Sequence, residues 1–208
     1  MIGVKFGIYH SFDDFSLILT GTELAQPTAK TEYVDILGAD GSLDLTEYFG
    51  DVKYSNRKLI CYFETKLRSQ AYYELFERIS NELHGRRLTI VLDRDKDFYL
   101  IGRIYVHPYK SNEVTGAIVI EADCEPYKLE LIETSYEYEV NGAREIALVN
   151  LKKQVTPKIE VEGSVQIEGN VLSSGTYTIP TLVLGQGTNI LNVDGNGILR
   201  ISYRRGKL

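Results

Sequence analysis

Arg57-Lys-Leu-Ile-Cys-Tyr-Phe-Glu-Thr65 is separated from Ser69-Gln-Ala-Tyr-Tyr-Glu-Leu-Phe-Glu-Arg-Ile-Ser-Asn-Glu-Leu83 only by Lys66-Leu67-Arg68, and between them the apolar period changes. In the first stretch Leu59, Cys61 and Phe63 share one face, while Ile60 and Tyr62 share the other. That is a strand with both faces partly covered. In the second stretch Tyr72, Leu75, Phe76, Ile79 and Leu83 recur at spacings of three and four, which draws one apolar stripe along a helix. Ser69 reads as the N-cap, and Gly85, just past His84, as the C-cap. A helix of this kind has to bury its stripe, and the sheet containing the preceding strand is the surface it predicts.

Working outward, the remaining segments read as strands. Upstream are Val4–Ile8, Phe15–Leu19 and Thr31–Ile36, followed by the turn cluster Gly38–Ser42. Asp40-Gly41 in that cluster is a strong hairpin signal. Downstream, Arg87–Leu92 and Phe98–Tyr105 flank an Asp93–Asp97 loop, and Val114–Ala122 follows. Cys124-Glu125-Pro126-Tyr127 reads as a domain boundary. Beyond it come Leu129–Val140, a hairpin at Asn141-Gly142, Ala143–Val149, Lys158–Glu162, Val165–Glu168, Gly175–Ile179, Leu182–Leu184, Asn189–Val193 and Ile198–Tyr203. Half of the 18 glycines fall within residues 141–208, where no helical period exists. Short strands with frequent turn signals predict a β-sandwich. The fold class is therefore mostly β (α+β). Residues 1–127 form a β-rich domain with one helix, and residues 128–208 form an all-β domain.

The net charge of −6 argues against a general nucleic-acid binder, which would carry a basic patch. Residues 1–140 hold 24 acidic against 15 basic side chains, and residues 141–208 hold 5 against 8. This asymmetry hints at two units with different surroundings. Cys61 and Cys124 sit in apolar strand-like runs without metal-ligand spacing. They read as buried thiols, and the sequence does not give their distance, so a disulfide stays open. The N-terminus breaks at Asp13-Asp14 before any long apolar run, so it is not a signal peptide. No stretch reaches the roughly 18 apolar residues of a membrane helix. The protein is expected to fold in a cytoplasm.

No motif points to catalysis, metal or cofactor. Asp93-x-Asp95-x-Asp97 opens like a calcium loop, but Phe98 stands where glycine is needed and Ile104 where glutamate is needed, so it reads as a solvated hairpin tip. Gly185-Gln186-Gly187 lacks a third glycine and a following helix, so it reads as a turn. His10, His84 and His107 are scattered. No nucleophile elbow occurs. The expectation is a non-enzymatic protein.

One stretch carries more. Lys30-Thr-Glu-Tyr-Val-Asp-Ile-Leu-Gly-Ala-Asp-Gly-Ser-Leu-Asp-Leu-Thr-Glu47 resembles the N-terminal signature of the distal tail (hub) protein family of long-tailed (siphovirus-type) bacteriophages. Tyr54-Ser55-Asn56-Arg57 and Cys124-Glu125-Pro126-Tyr127 resemble later segments of the same domain, in the same order. The likeness covers residues 1–127. The remainder is similar to the family's galectin-like β-sandwich in strand rhythm and in the closing Ile201-Ser-Tyr-Arg-Arg-Gly206.

The resemblance implies a homohexameric ring at the virion tail tip. Such a ring joins the tail tube protein and tape-measure protein to tail-associated or receptor-binding baseplate proteins. It implies no specific nucleic-acid binding and no membrane. It carries over no catalytic residue. A ring interface is heterologous, and a hairpin reaching onto a neighbour suits it. Thr31, Tyr33, Asp40, Gly41, Asp44 and Arg57 are the candidate interface residues, on an arm that runs from Thr31 to Phe63 and has its tip near Asp40-Gly41. The other reading is a hairpin folded within its own chain. The competing function is a carbohydrate-binding module that recognises host cell wall. Against it stands the aromatic content of residues 141–208, which is Tyr177 and Tyr203 alone. Tyr203 shares a face with Leu199 and Ile201. An acidic channel lining, from the first domain's charge, is the further expectation.

Overall fold

The computed structural model describes residues 2–48, 50–109 and 116–208. The chain divides into two compact units, Met1–Pro126 and Tyr127–Leu208. The start expected for a strand at Val114 lies outside the described residues.

The first unit contains β1 (Val4–Phe6), β2 (Tyr9–His10), β3 (Ile18–Leu24), β4 (Tyr33–Asp35), β5 (Ser42–Asp44), β6 (Arg57–Thr65), α1 (Ser69–Leu83), β7 (Arg87–Leu92), β8 (Phe98–Tyr109) and β9 (Gly116–Cys124). Its main sheet is antiparallel in the order β2-β1-β7-β8-β9-β6-β3. Alternation places Leu59, Cys61 and Phe63 of β6 and Ile118, Ile120 and Ala122 of β9 in the core. Tyr72, Leu75, Ile79 and Leu83 of α1 are buried in that same core, with Phe76 packed partly against it. Each such burial stabilises by ~2 kcal/mol. Both cysteines are buried free thiols, and desolvation pushes each up to about 12. The helix start differs from the sequence expectation. Arg68 occupies the N-cap position with extended backbone, and no side chain caps the first turn. Ser69 is instead held at φ +50, the left-handed region.

The second unit contains β10 (Lys128–Glu130), β11 (Thr134–Asn141), β12 (Arg144–Asn150), β13 (Lys158–Ile167), β14 (Asn170–Thr178), β15 (Gly187–Tyr203) and β16 (Gly206–Lys207). The seventeen-residue β15 pairs with β11, β12 and β13, and β14 pairs with β13. The hairpin expected at Asn141-Gly142 does not exist. β11 runs antiparallel to the end of β15 (Val140↔Gly197, Asn141↔Asn196), and β12 continues against its beginning at the same offset (Arg144↔Val193, Glu145↔Asn192). Gly142 N–H donates to Gly195 O at 2.8 Å, which carries the ladder through the bend. The two breaks expected after Glu162 and after Val193 likewise fall inside the continuous strands β13 and β15.

These interruptions are one feature. Along β15, Leu191, Val193, Leu199, Ile201 and Tyr203 all belong to one core, so the strand presents the same face inward on both sides of Gly195 and Gly197. Along β13, Ile159 and Val161 lie before Gly163, and Val165 and Ile167 after it. The sheet is folded over along a glycine crease, and its two halves close on a shared core. Crease positions on the inward face have no room for a side chain. A methyl at Gly163 would meet the Asn196 carbonyl, and one at Gly197 would meet the Glu162 carbonyl. A turn and a crease demand the same local permissiveness from glycine, and only the partner strand distinguishes them.

The charge asymmetry also changes when counted by unit. Residues 1–126 hold 20 acidic and 14 basic side chains, and residues 127–208 hold 9 of each. The second unit is neutral. Its apparent excess came from assigning Glu130, Glu133, Glu137 and Glu139 to the other side.

Candidate interaction surface

Between β3 and β6 the chain leaves the main sheet and returns. Ala25 N–H donates to Lys58 O at 2.9 Å, Ser55 N–H to Thr28 O at 2.8 Å and Lys30 N–H to Lys53 O at 2.8 Å. Beyond this stem, β4 and β5 form a separate two-stranded ladder with Tyr33 opposite Asp44, Val34 opposite Leu43 and Asp35 opposite Ser42. The Ser42 hydroxyl donates to Asp35 Oδ1 at 2.6 Å, and Thr46 N–H donates to Asp44 Oδ1 at 2.9 Å. The hydrogen bonds from Thr46, aided by one from Tyr33, hold the Asp44 carboxyl below its usual range. Gly38 and Gly41 turn the tip at φ +86 and +77, values an L side chain rarely adopts.

Every residue from Lys30 to Asp44 is exposed. Among them are Tyr33 (59%), Ile36 (51%), Leu37 (104%) and Leu43 (49%), with Tyr48 (74%) just beyond. A two-stranded ribbon that buries none of its apolar side chains is marginal in water by itself. Contiguous exposed apolar surface of this kind marks an interaction site. From Lys30 to Lys53 the arm carries six carboxylates and two lysines. It therefore holds most of the first unit's net negative charge.

Thr31, Tyr33, Asp40, Gly41 and Asp44 all lie on this arm, and all are exposed. Arg57 does not join them, and the arm does not run on to Phe63 as expected, because Arg57–Thr65 is β6, paired with β9 in the main sheet. Arg57 is 3% exposed at the start of β6, and its Nη1 donates to Pro126 O at 3.2 Å. Its Nε is buried without a partner among the described residues, and desolvation lowers its pKa. Arginine is almost never buried unless paired, so residue type alone points to the surface.

The second unit offers no aromatic platform on Tyr203. Tyr203 is 2% exposed on the inward face of β15, and its hydroxyl donates to Val149 O at 2.8 Å. Burial, with Tyr136 beside it, raises its pKa. Tyr136 stacks on both Tyr138 and Tyr203. Tyr177 folds back so that its hydroxyl donates to Ser173 O at 3.0 Å. A shallow depression of 370 Å³ lies between Arg144, Glu145, Gln166, Asn192 and Asp194. Arg144 is turned toward Glu139 O and the Tyr138 ring, and Glu168 accepts from both Asn192 N–H groups.

The crystal structure of the Dit protein of phage SPP1 superposes with a TM-score of 0.75 over 100% of both chains, at 9% sequence identity. That structure is described as a paradigm of the hub adsorption apparatus in phages that infect Gram-positive hosts. The fold is a phage Dit fold. No family model and no curated protein matches the sequence. The likeness spans both units.

Proposed function

We propose that this chain is a structural, non-catalytic hub of a phage tail tip. Copies assemble into a homohexameric ring, built in the host cytoplasm and carried in the virion. On one side the ring meets the tail tube and tape-measure proteins, and on the other the baseplate or receptor-binding proteins. The first unit makes the ring, and the second unit serves as the outward adaptor.

The observation that carries this reading is the end-to-end Dit likeness, covering 100% of both chains. The arm supplies the physical means. It exposes every residue from Lys30 to Asp44, and a structured ribbon with that much apolar surface fits a partner better than solvent. Contact between an arm and a different patch on the next copy is heterologous, and it closes into a ring when the rotation per copy is right.

The test is the mass of the purified protein at high micromolar concentration, by native mass spectrometry or light scattering. A hexamer is expected. A monomer throughout that range would overturn the reading. Sugar binding by the second unit is the competing outcome. Calorimetry of the whole protein with host cell-wall polysaccharide tests it, and no heat of binding is expected.

A further inference from the structure

We infer that the segment Lys66–Tyr73, which joins β6 to the first turn of α1, is the seat that receives the arm of a second copy of this chain. This deepens the hub reading and rests on it.

Outside the arm, the large apolar side chains exposed in the first unit are few among the described residues. Ile2 and Ile8 lie at the N-terminal hairpin, and Leu67 (39%) and Tyr73 (58%) lie in the segment after β6. The second pair sits among two cations, Lys66 and Arg68, that flank Leu67 in sequence. Lys66 and Arg68 are both exposed, and neither has a carboxylate within ion-pair distance among the described residues. Three other cations of the unit are ion-paired: Lys58 with Glu121, Arg87 with Glu125, and Arg86 with Glu82. No acidic residue stands in the first turn of α1. The seat is therefore an apolar pair accompanied by two cations, with Glu64 and Glu74 just outside its ends.

The arm is its complement. Tyr33, Ile36, Leu37 and Leu43 give it an exposed apolar ridge, and Asp40 and Glu47 belong to its excess of four negative charges. Charge matching of this kind steers encounter and fixes register, while the apolar contact supplies affinity.

The arm and the seat are rooted at opposite ends of one strand. The arm is rooted at the Arg57 end of β6, where Ala25 bonds to Lys58. The seat follows Thr65, at the other end of the same nine-residue strand. At about 3.3 Å per residue the two are about 30 Å apart at their roots. Donor and acceptor are thus different surfaces at opposite ends of one strand, and copies joined this way step head to tail.

The experiment uses the full chain at high micromolar concentration, read by light scattering. Lys66→Glu with Arg68→Glu is expected to reduce assembly at least tenfold. Asp40→Lys with Glu47→Lys, at arm positions with no hydrogen-bonding role in the ladder, is expected to do the same. The chain carrying all four is expected to recover assembly. A separate chain with Leu37→Cys and Tyr73→Cys is expected to give a ladder of cross-linked oligomers on mild oxidation. Cys61 and Cys124 are buried and stay silent. A monomeric wild type would overturn the hub reading itself. An assembled wild type whose Lys66→Glu/Arg68→Glu variant assembles equally, and whose cysteine pair yields only monomer, would leave the hub and move the seat elsewhere.

Discussion

Gly163 stands opposite Gly197 across the β13–β15 ladder, and a side chain on either would strike the backbone of the other's strand. The folded-over sheet depends on this pair being bare. Gly163 is also held at φ +102.

Gly197→Ala and Gly163→Ala are each expected to destabilise the second unit by ~2 kcal/mol, because the carbonyls they meet belong to a fixed ladder. For a domain of this size that is a fall in Tm of roughly 10 °C. Gly142→Ala has open space around its Cβ and strain only from φ +84, so a smaller loss of ~1 kcal/mol is expected. Calorimetry of the three variants checks the ranking, and equal effects would argue against a crowded crease.

Leu37→Asp at the arm tip is expected to leave the thermal stability of dilute monomer unchanged, since the side chain is fully exposed. The same change is expected to abolish assembly at high micromolar concentration. Differential scanning fluorimetry and light scattering on one preparation separate the two effects. A lowered monomer Tm would mean that the arm packs within its own chain.

Arg68→Ser should act in opposite directions on folding and assembly. The N-cap of α1 has extended backbone and no side-chain acceptor, so serine there is expected to add ~1 kcal/mol. It also removes a cation from the seat, and assembly should weaken. A variant that is both more stable and better assembled would contradict the role given to Arg68.

Arg57→Met should be neutral or stabilising by ~1 kcal/mol. The arginine has no carboxylate to lose, its Nε is unsatisfied, and burial already disfavours its charge. Arg57→Ala should instead cost ~2 kcal/mol through lost packing. Chemical denaturation of both variants gives the comparison.

Cys61 and Cys124 should resist thiol reagents at pH 8 in the folded protein and react fully in denaturant. Their thiols are pushed up to about 12 by burial, and the thiolate is the reactive form. Counting modified thiols with a chromogenic disulfide decides this. Rapid labelling under native conditions would place at least one at the surface.

The legible parts of the fold were those with local causes. The stripe from Tyr72 to Leu83 and the alternation from Leu59 to Phe63 are periodic in themselves, and the structure buries both as expected. The arm was legible through Asp40-Gly41, whose turn chemistry is local too. Three things were not legible. Gly142, Gly163 and Gly195–Gly197 give the same signal in a crease as in a turn, and only pairing to β15 tells them apart. Arg57 looked like a surface residue because nothing near it in sequence reports Pro126, whose carbonyl it meets from 69 residues away. The seat could not be read as a surface until α1 had buried Tyr72 and left Tyr73 outside.

β15 carries a further consequence, for the order in which the second unit can form during synthesis. Among the described strands, β11 and β12 have no partner except β15, and β15 follows them by more than thirty residues in the chain. The β13–β14 hairpin can close alone, with a two-residue turn at Glu168-Gly169. Val140, Ile146 and Leu148 must wait for Gly187–Tyr203 to leave the ribosome. Until then they are exposed to chaperones and to one another. A nascent chain stalled before Gly187 is thus a finished first unit trailing an adhesive, half-made second one.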